Sequence, residues 1–216
     1  MNNKVDIALE RLKGVLPLKQ SQEACEPEIK NVYQQLLKSF ITSGRALSKE
    51  EMSHHIDDTD LAIAVLSKCD MASFFDNGEP RNAYPFSSTE RDYLIQVNGY
   101  SVYAMCALDS LAIAPMFNVM THITSHCKIT GEQIDIRMRG AKVLNIKEMQ
   151  DIYMGVSWSD ADASKCCADS LCKEIVFLCD RETAQQWLSD TAVDGELFTL
   201  LEATQFASRF FVPLMH

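Results

Sequence analysis

Long apolar segments are missing from this sequence of 216 residues. No run of 18 or more apolar residues occurs, which excludes a membrane-spanning helix of ordinary length. The first residues, MNNKVDIALERLKG, carry charges where a signal peptide has a continuous apolar stretch. We therefore expect a cytoplasmic protein with no membrane partner.

Positive charge is also scarce. The chain has 20 Lys and Arg against 30 Asp and Glu, a formal net charge of −10. This balance disfavours non-specific binding to nucleic-acid phosphates or anionic lipids. A hydrophobic content of 47% with 23% charged residues is typical of a folded chain with a core. At about 100 to 200 residues per domain, the length allows one large domain or two small ones.

Helical spacing dominates the N-terminal part of the chain. Apolar side chains recur every three or four positions over residues 28–43 and again over residues 58–69. Between these segments Ser48, with a Glu three residues on, forms a capping box that predicts a short helix extending to Ile56. Together with the turn-rich segment FFDNGEPRNAYPF, the pattern predicts a winged-helix-like domain over residues 1–90.

Winged helices often bind DNA, so the charge of this domain matters. Residues 1–90 contain 10 Lys and Arg and 14 Asp and Glu, a balance of 10 − 14 = −4. The helix at the recognition position carries Asp58, Asp60 and only Lys68, where readout of bases needs Arg, Lys, Asn or Gln. We predict a packing domain and no nucleic-acid partner.

Strand periodicity begins after residue 91. Apolar and polar residues alternate over residues 92–104 around Asn98-Gly99, a pair that favours the type I′ turn of a β-hairpin. A second hairpin is predicted within residues 119–138, with its turn at Thr130-Gly131.

The rest of the C-terminal part combines strand and helix signals. Residues 172–179 predict a buried strand, and residues 197–211 have helical periodicity. The predicted fold class is α+β. A helical winged-helix-like domain (1–90) packs on a catalytic domain (91–216) with a mixed, mainly antiparallel sheet and flanking helices.

Cysteines are numerous for such a chain. A disulfide scaffold does not fit, because the chain is long enough to bury a core and shows no export signal. Free thiols that do chemistry or bind a soft metal are the working hypothesis. The eight cysteines are Cys25, Cys69, Cys106, Cys127, Cys166, Cys167, Cys172 and Cys179.

Cys106 and Asp109 form the densest candidate site, in the segment YAMCALDSL. If the chain is helical there, side chains at i and i+3 share one face. A carboxylate beside a thiol can take its proton and return it to the species that the sulfur releases, provided burial raises its pKa above about 3.9. The structural alternative is a buried cysteine beside an Asp that caps a helix beginning at Ser110.

A second cluster contains Cys166, Cys167 and Cys172, flanked by Lys165 and Lys173. Its spacing fits zinc sites poorly, whereas soft two- or three-coordinate ions require sulfur more than a fixed geometry. The lysines are expected to lower the pKa of these thiols from about 8.5 toward neutrality. Loop cysteines without a chemical role are the alternative for Cys166 and Cys167.

Three segments resemble the organomercurial (alkylmercury) lyases. YSVYAMCALDSLAIAPMF matches the family's Tyr-Ala-x-Cys-Ala-x-Asp segment, and THITSHCKITGEQIDI matches its Ser-x-Cys followed by Thr-Gly. LCKEIVFLCDRETAQQW is similar to the later cysteine strand and its Ala-x-x-Trp helix. The similarity is clear over residues 91–190 and looser outside them.

The resemblance implies a role for each matching residue. Cys106 and Cys172 would be the mercury-binding thiols, Asp109 the proton-transferring acid, and Cys127 a buried structural cysteine. Two sulfurs that hold one ion would lie about 4 to 5 Å apart, near twice a metal–thiolate bond of about 2.3 Å. Met105 stands where the best-known members have Trp, which changes the pocket wall but removes no reacting group.

The implied reaction is protonolysis of a carbon–mercury bond, giving a hydrocarbon and Hg(II) held by two cysteines. No cofactor is implied. The implied partners are an organomercurial substrate, and low-molecular-weight thiols or a mercuric reductase that take the ion away. The alternative is a thiol-based carrier of mercury or another soft metal without lyase activity, which would need the sulfurs but not the acid. The cysteines at 166 and 167, which the best-known members lack, leave that alternative open.

Overall fold

A computed structural model of the chain describes residues 3–160, 166–190 and 194–216. Within these residues eight α-helices and eleven strands are formed. The helices are α1 (Asn3–Val15), α2 (Leu18–Ala24), α3 (Pro27–Ser43), α4 (Lys49–Met52), α5 (Thr59–Lys68), α6 (Ala107–Phe117), α7 (Arg181–Asp190) and α8 (Leu200–Phe211). Among the described residues, none of the helices combines the length and the apolar composition that a membrane-spanning segment requires.

The strands form two antiparallel sheets. The large sheet has the order β1-β2-β3-β5-β4-β6-β7-β8, and the small one has the order β10-β9-β11. The strands are β1 (Ala72–Phe74), β2 (Pro80–Ala83), β3 (Phe86–Ser87), β4 (Tyr93–Val97), β5 (Tyr100–Ala104), β6 (Met120–His126), β7 (Gln133–Arg139), β8 (Lys142–Val143), β9 (Tyr153–Ser157), β10 (Ile175–Leu178) and β11 (Gly195–Thr199). The mixed α+β class with an antiparallel sheet is thus confirmed.

Both predicted hairpins are confirmed. Asn98 and Gly99 have φ values of 50° and 86°, and Val97 pairs with Tyr100 across the turn. These positive φ values are those that a type I′ turn requires. The second hairpin joins β6 to β7, with Gly131 at a φ of 73° in its turn.

The large sheet continues across the predicted domain boundary at residues 90 and 91. Strand β3, before the boundary, pairs with β5 beyond it through Phe86 and Ala104. The Phe86 ring also stacks on Phe40 of α3, with ring centroids 4.5 Å apart. The helices of the N-terminal part are therefore tied to the sheet by an aromatic contact, while the division into two domains stays a prediction.

Local capping determines where the N-terminal helices begin. Ser48 and Glu51 form the predicted capping box of α4, and the Asp58 side chain accepts a hydrogen bond from the N–H of Leu61 at the start of α5. The prediction that the short helix reaches Ile56 is wrong, because α4 ends at Met52. Residues 53–55 are exposed and polar and form turns, so no apolar face extends the helix.

Two C-terminal elements also differ from the sequence analysis. The predicted helix over 197–211 is a strand up to Thr199 and a helix only from Leu200, because the Thr199 side chain caps α8 in a capping box with Glu202. The predicted strand over 172–179 starts at Ile175, after a 3₁₀-helix over Leu171–Glu174. That 3₁₀-helix positions Cys172 at the end of the small sheet.

Helix α6 lies at the centre of the fold. It packs on α8, on β4, β5 and β6 of the large sheet and on β10 of the small one. Nearly every side chain from Ala107 to Met116 is buried, so the helix is covered on all sides. The N-terminal end of this buried helix holds the first two candidate site residues.

Candidate active site

The structure brings Cys106, Asp109 and Cys172 together. Cys106 and Asp109 belong to the start of α6, whereas Cys172 comes from the 3₁₀-helix before β10. One sulfur or carboxylate oxygen of each residue lies within 4.8 Å of the other two, which fits the expected separation of the sulfurs. The three side chains are buried, with exposed fractions of 1%, 1% and 5%. Such a group can hold one soft ion between two sulfurs, with a carboxyl beside it.

Cys106 itself caps α6. The Cys106 thiol donates a hydrogen bond of 2.9 Å to Oδ2 of Asp109, and the backbone N–H of Asp109 donates one of 3.4 Å to the sulfur. The structural alternative, an Asp109 that caps a helix starting at Ser110, is therefore wrong, since α6 begins at Ala107. The positive end of the helix dipole favours a thiolate at this position once the proton leaves.

Burial dominates the electrostatics of the three groups. It raises the pKa of Asp109 to about 7, although hydrogen bonds with Cys106 and Cys172 oppose the rise. It also raises the pKa of Cys106 to about 12, and the neighbouring Asp109 charge adds to this. The pKa of Cys172 is raised by its hydrogen bonds with Cys106 and Cys167 and by burial. At neutral pH the site thus holds protonated thiols and a carboxyl poised to gain or lose a proton.

The raised pKa of Asp109 predicts a pH-dependent stability. From its ordinary value of 3.8 to about 7, the folded chain holds a proton that the unfolded chain has released. This contribution to stability is therefore present below about pH 4 and is lost as the pH rises through about 7. We expect Asp109→Asn to raise the free energy of unfolding roughly 2 to 3 kcal/mol more at pH 8 than at pH 5. Urea unfolding measures both values, and an equal effect at the two pH values would contradict the burial argument.

A cavity of about 680 Å³ gives access to the site. Cys172 and Met105 line it, together with Tyr93 and Cys127. The Tyr93 hydroxyl donates a hydrogen bond of 3.1 Å to the carbonyl of Ile175, which fixes the start of β10 beside Cys172. The lining also contains three basic and three acidic side chains, Arg91, Lys128, Lys173, Glu90, Asp92 and Glu174. Their formal charges balance, so the cavity does not select strongly for one sign of ligand charge.

The prediction that lysines lower the pKa of the second cysteine cluster is wrong for Cys166 and Cys172. Lys165 lies outside the described residues, and Lys173 pairs with Asp169 at 3.6 Å. Burial and a hydrogen bond to Asp169 raise the pKa of Cys166, and the pKa of Cys172 is raised as well. At Cys166, desolvation and the Asp169 carboxylate outweigh the half-exposed lysine ammonium. At Cys172 the hydrogen bonds with Cys106 and Cys167, together with burial, do so.

Cys127 is buried, as expected from the resemblance. Burial raises its pKa, but hydrogen bonds from the Thr130 hydroxyl and from the N–H groups of Thr130, Ile129 and Cys179 outweigh this and lower the pKa to about 7. The N–H of Cys179 reaches the sulfur at 3.4 Å. These bonds tie the β6–β7 turn to the end of β10, which agrees with a structural role.

Two residues that no sequence motif marks hold the second cluster against the first. Oδ2 of Asp70 accepts the N–H of Cys167 at 2.8 Å, and the Tyr84 hydroxyl accepts the N–H of Ala168 at 2.7 Å. Both donors lie more than 80 positions along the chain from their acceptors. Single-sequence patterns carry no signal for such a contact, because neither acceptor belongs to a recognisable motif.

Known proteins resemble this chain in sequence and in fold. The family model described as MerB, alkylmercury lyase, matches residues 86–212, more than half of the chain. The alkylmercury lyase of Pseudomonas putida is 23% identical over 162 residues, which are 75% of this chain and 74% of that protein. The alkylmercury lyase of Streptomyces lividans is 20% identical over 157 residues, 73% and 72% of the two chains.

A solved structure shares the fold. The crystal structure of the mercury-bound form of MerB2 superposes with a TM-score of 0.73 and covers 92% of this chain and 98% of that one, at 21% identity. The matched family segment contains Cys106, Asp109 and Cys172. The chain therefore belongs to the MerB alkylmercury lyase family.

Proposed function

We propose that this protein is an organomercurial lyase that cleaves carbon–mercury bonds by protonolysis. The observation that carries the proposal is the buried trio of Cys106, Asp109 and Cys172, whose ligand atoms lie within 4.8 Å of one another. Two sulfurs at this spacing suit a two-coordinate soft ion, and the carboxyl is close enough to deliver a proton beside it. Membership of the alkylmercury lyase family supports the same reaction.

The first step is attack of Cys106 on mercury. Its thiol proton already points at Oδ2 of Asp109, 2.9 Å away. With pKa values of about 12 and about 7, the proton stays on sulfur in the free enzyme. Coordination to a metal removes the proton from a thiol, so the transfer to Asp109 accompanies formation of the sulfur–mercury bond. The original ligand of the mercury leaves as an anion.

The second step breaks the carbon–mercury bond. Cys172 adds as the second thiolate, and the two sulfurs push electron density onto the carbon until it can accept a proton. As the Cys172 sulfur bonds to mercury, Asp109 gives its proton to that carbon and its carboxylate takes the thiol proton of Cys172. Of the two thiol protons, one ends in the hydrocarbon, and the other is released from Asp109 to solvent, where it balances the ligand anion that left in the first step. Mercury remains Hg(II), bound to Cys106 and Cys172.

The trio supplies the nucleophiles and the acid, so in this proposal the reaction uses no cofactor. The product ion, held by two buried sulfurs, needs a competing thiol to leave. Low-molecular-weight thiols entering the cavity at Cys172 fill this role, and a mercuric reductase is the partner expected to consume the ion. All eight cysteines are unpaired, and the reducing cytoplasm is the compartment that keeps them so.

In the same proposal residues 1–90 form a winged-helix-like domain that supports the catalytic domain of residues 91–216 and does not bind DNA. Asp58 caps α5 and Asp60 lies in its first turn, where a recognition helix presents basic or amide side chains. Asp60 also pairs with Lys49 of α4 at 2.7 Å, which neutralises a nearby cation.

Release of benzene from phenylmercury tests the proposal. The protein is incubated with phenylmercury and an excess of a small thiol, and benzene is measured by gas chromatography against a thiol-only blank. We expect repeated turnover above the blank. Cys25→Ser is the control, because Cys25 follows the C-terminal end of α2 and does not belong to the trio. Mercury binding without benzene would favour the soft-metal carrier.

A further inference from the structure

A third sulfur lies beside the trio. The Sγ atoms of Cys167 and Cys172 are 3.7 Å apart, and both side chains are buried. Two consecutive 3₁₀-helices, Cys167–Asp169 and Leu171–Glu174, bend the chain so that the two cysteines face each other. The proposed lyase reaction uses Cys172 and leaves Cys167 without a role.

Contacts with the N-terminal part of the chain hold Cys167 in this position. Asp70 accepts its backbone N–H, and Tyr84 accepts the N–H of the next residue. The Tyr84 hydroxyl also lies 3.4 Å from both carboxylate oxygens of Asp70, so the two acceptors are linked. The backbone that carries the third sulfur is therefore held by two linked groups, the Asp70 carboxylate and the Tyr84 hydroxyl.

The separations between these sulfurs fit two different coordination geometries of a metal ion. With metal–sulfur bonds of about 2.3 Å, two sulfurs lie about 4.6 Å apart around a linear ion and about 4.0 Å apart around a trigonal one. The trio, within 4.8 Å, accommodates the linear arrangement, whereas 3.7 Å between Cys167 and Cys172 is closer to the trigonal one. Cys167 is thus placed to approach an ion that Cys172 already holds.

We propose that Cys167 is a further mercury ligand that takes the product ion over from Cys106. This inference rests on the proposed lyase function for the source of the ion. A bond forms between mercury and the Cys167 sulfur, the bond to the Cys106 sulfur breaks, and the thiol proton of Cys167 moves to the Cys106 sulfur. Mercury stays Hg(II) and no electron is transferred.

The exchange resets the catalytic pair before the ion leaves. Cys106 regains its proton and its hydrogen bond to Asp109, while mercury is held by Cys167 and Cys172. Cys172 lines the cavity, where an external thiol reaches the ion. An intramolecular thiol whose sulfur lies 3.7 Å from a sulfur that holds the ion acts at a very high effective concentration, so it speeds the first exchange compared with a thiol from solution.

Mercury release tests the inference without relying on lyase activity. The intact protein is loaded with one equivalent of mercuric chloride and mixed with excess dithiothreitol, and the mercury still bound to the protein is measured at successive times after rapid removal of the small thiol. We expect release from Cys167→Ser to be roughly tenfold or more slower than from the unmodified protein. Cys166→Ser is the matched control, because that neighbouring sulfur contacts Asp169 at 3.3 Å and leaves release unchanged.

A second variant and a second measurement distinguish failure of this inference from failure of the proposed lyase function. Cys167→Ala is compared with Cys167→Ser after thermal unfolding has shown that both fold, and the same slowing in both assigns the effect to the missing sulfur. Benzene from a single turnover of phenylmercury is still expected from both variants, because Cys106, Asp109 and Cys172 remain. Release as fast as or faster than that of the unmodified protein would overturn the inference, whereas no benzene from any of the proteins would overturn the proposed function.

Discussion

Asp109→Asn is expected to keep mercuric-ion binding and to lose hydrocarbon release by about 10²- to 10⁴-fold, the usual contribution of a positioned acid. The amide has nearly the shape of the carboxyl but carries no transferable proton. Both sulfurs of the trio remain, so the ion still has its two ligands. Benzene release from phenylmercury measures the loss of the chemical step, and equilibrium dialysis against mercuric ion measures the retained binding.

A second aspartate in a similar setting provides a matched control for the Asp109 variant. Asp169 also accepts a thiol hydrogen bond from a cysteine three positions earlier, at 3.3 Å, but it is not a member of the trio. Asp169→Asn is expected to release benzene at the unmodified rate. Full benzene release from Asp109→Asn would show that Asp109 is not the proton donor and would contradict the proposed mechanism.

Cys106→Ala and Cys172→Ala are each expected to reduce benzene release on the order of 10⁴-fold or more, because each removes a sulfur that bonds to mercury in the reaction. Unlike the Asp109 variant, both should also bind mercuric ion more weakly, since one of two ligands is missing. The same two assays apply, with Cys25→Ser as the control cysteine.

The two cysteine variants also test whether cleavage needs both sulfurs. With Cys106 removed, Cys172 still lines the cavity and can form one bond to phenylmercury. We expect that single bond to leave the phenyl group attached, because one thiolate does not make the carbon basic enough. Benzene at a near-normal rate from either variant would show that one sulfur is sufficient and would contradict the two-thiolate mechanism.

Local patterns in the sequence predicted the elements that local chemistry determines. Asn98-Gly99 specified its turn because few residue pairs adopt two successive positive φ values. The capping box at Ser48 specified the start of α4 in the same way. For the site, the resemblance named the three residues, and the structure brought them within 4.8 Å.

Other features depend on packing between distant segments and left no local signal. Helix α6 is buried on all sides, so no amphipathic stripe marked its beginning at Ala107. Residues 195–199 form a strand because β9 offers them an edge to pair with, although their sequence continues into a helical pattern. The contact between the sulfurs of Cys167 and Cys172 depends on Asp70, far away in the sequence.

The mass of the protein after one turnover tests the central claim most directly. One equivalent of phenylmercury is added without any external thiol, and the intact complex is weighed by native mass spectrometry while benzene is collected. Two sulfurs around one mercury, with Asp109 as the acid, predict one benzene per chain and a gain of one mercury less two hydrogens. A chain that keeps the phenyl group and gains phenylmercury less one hydrogen would contradict the account.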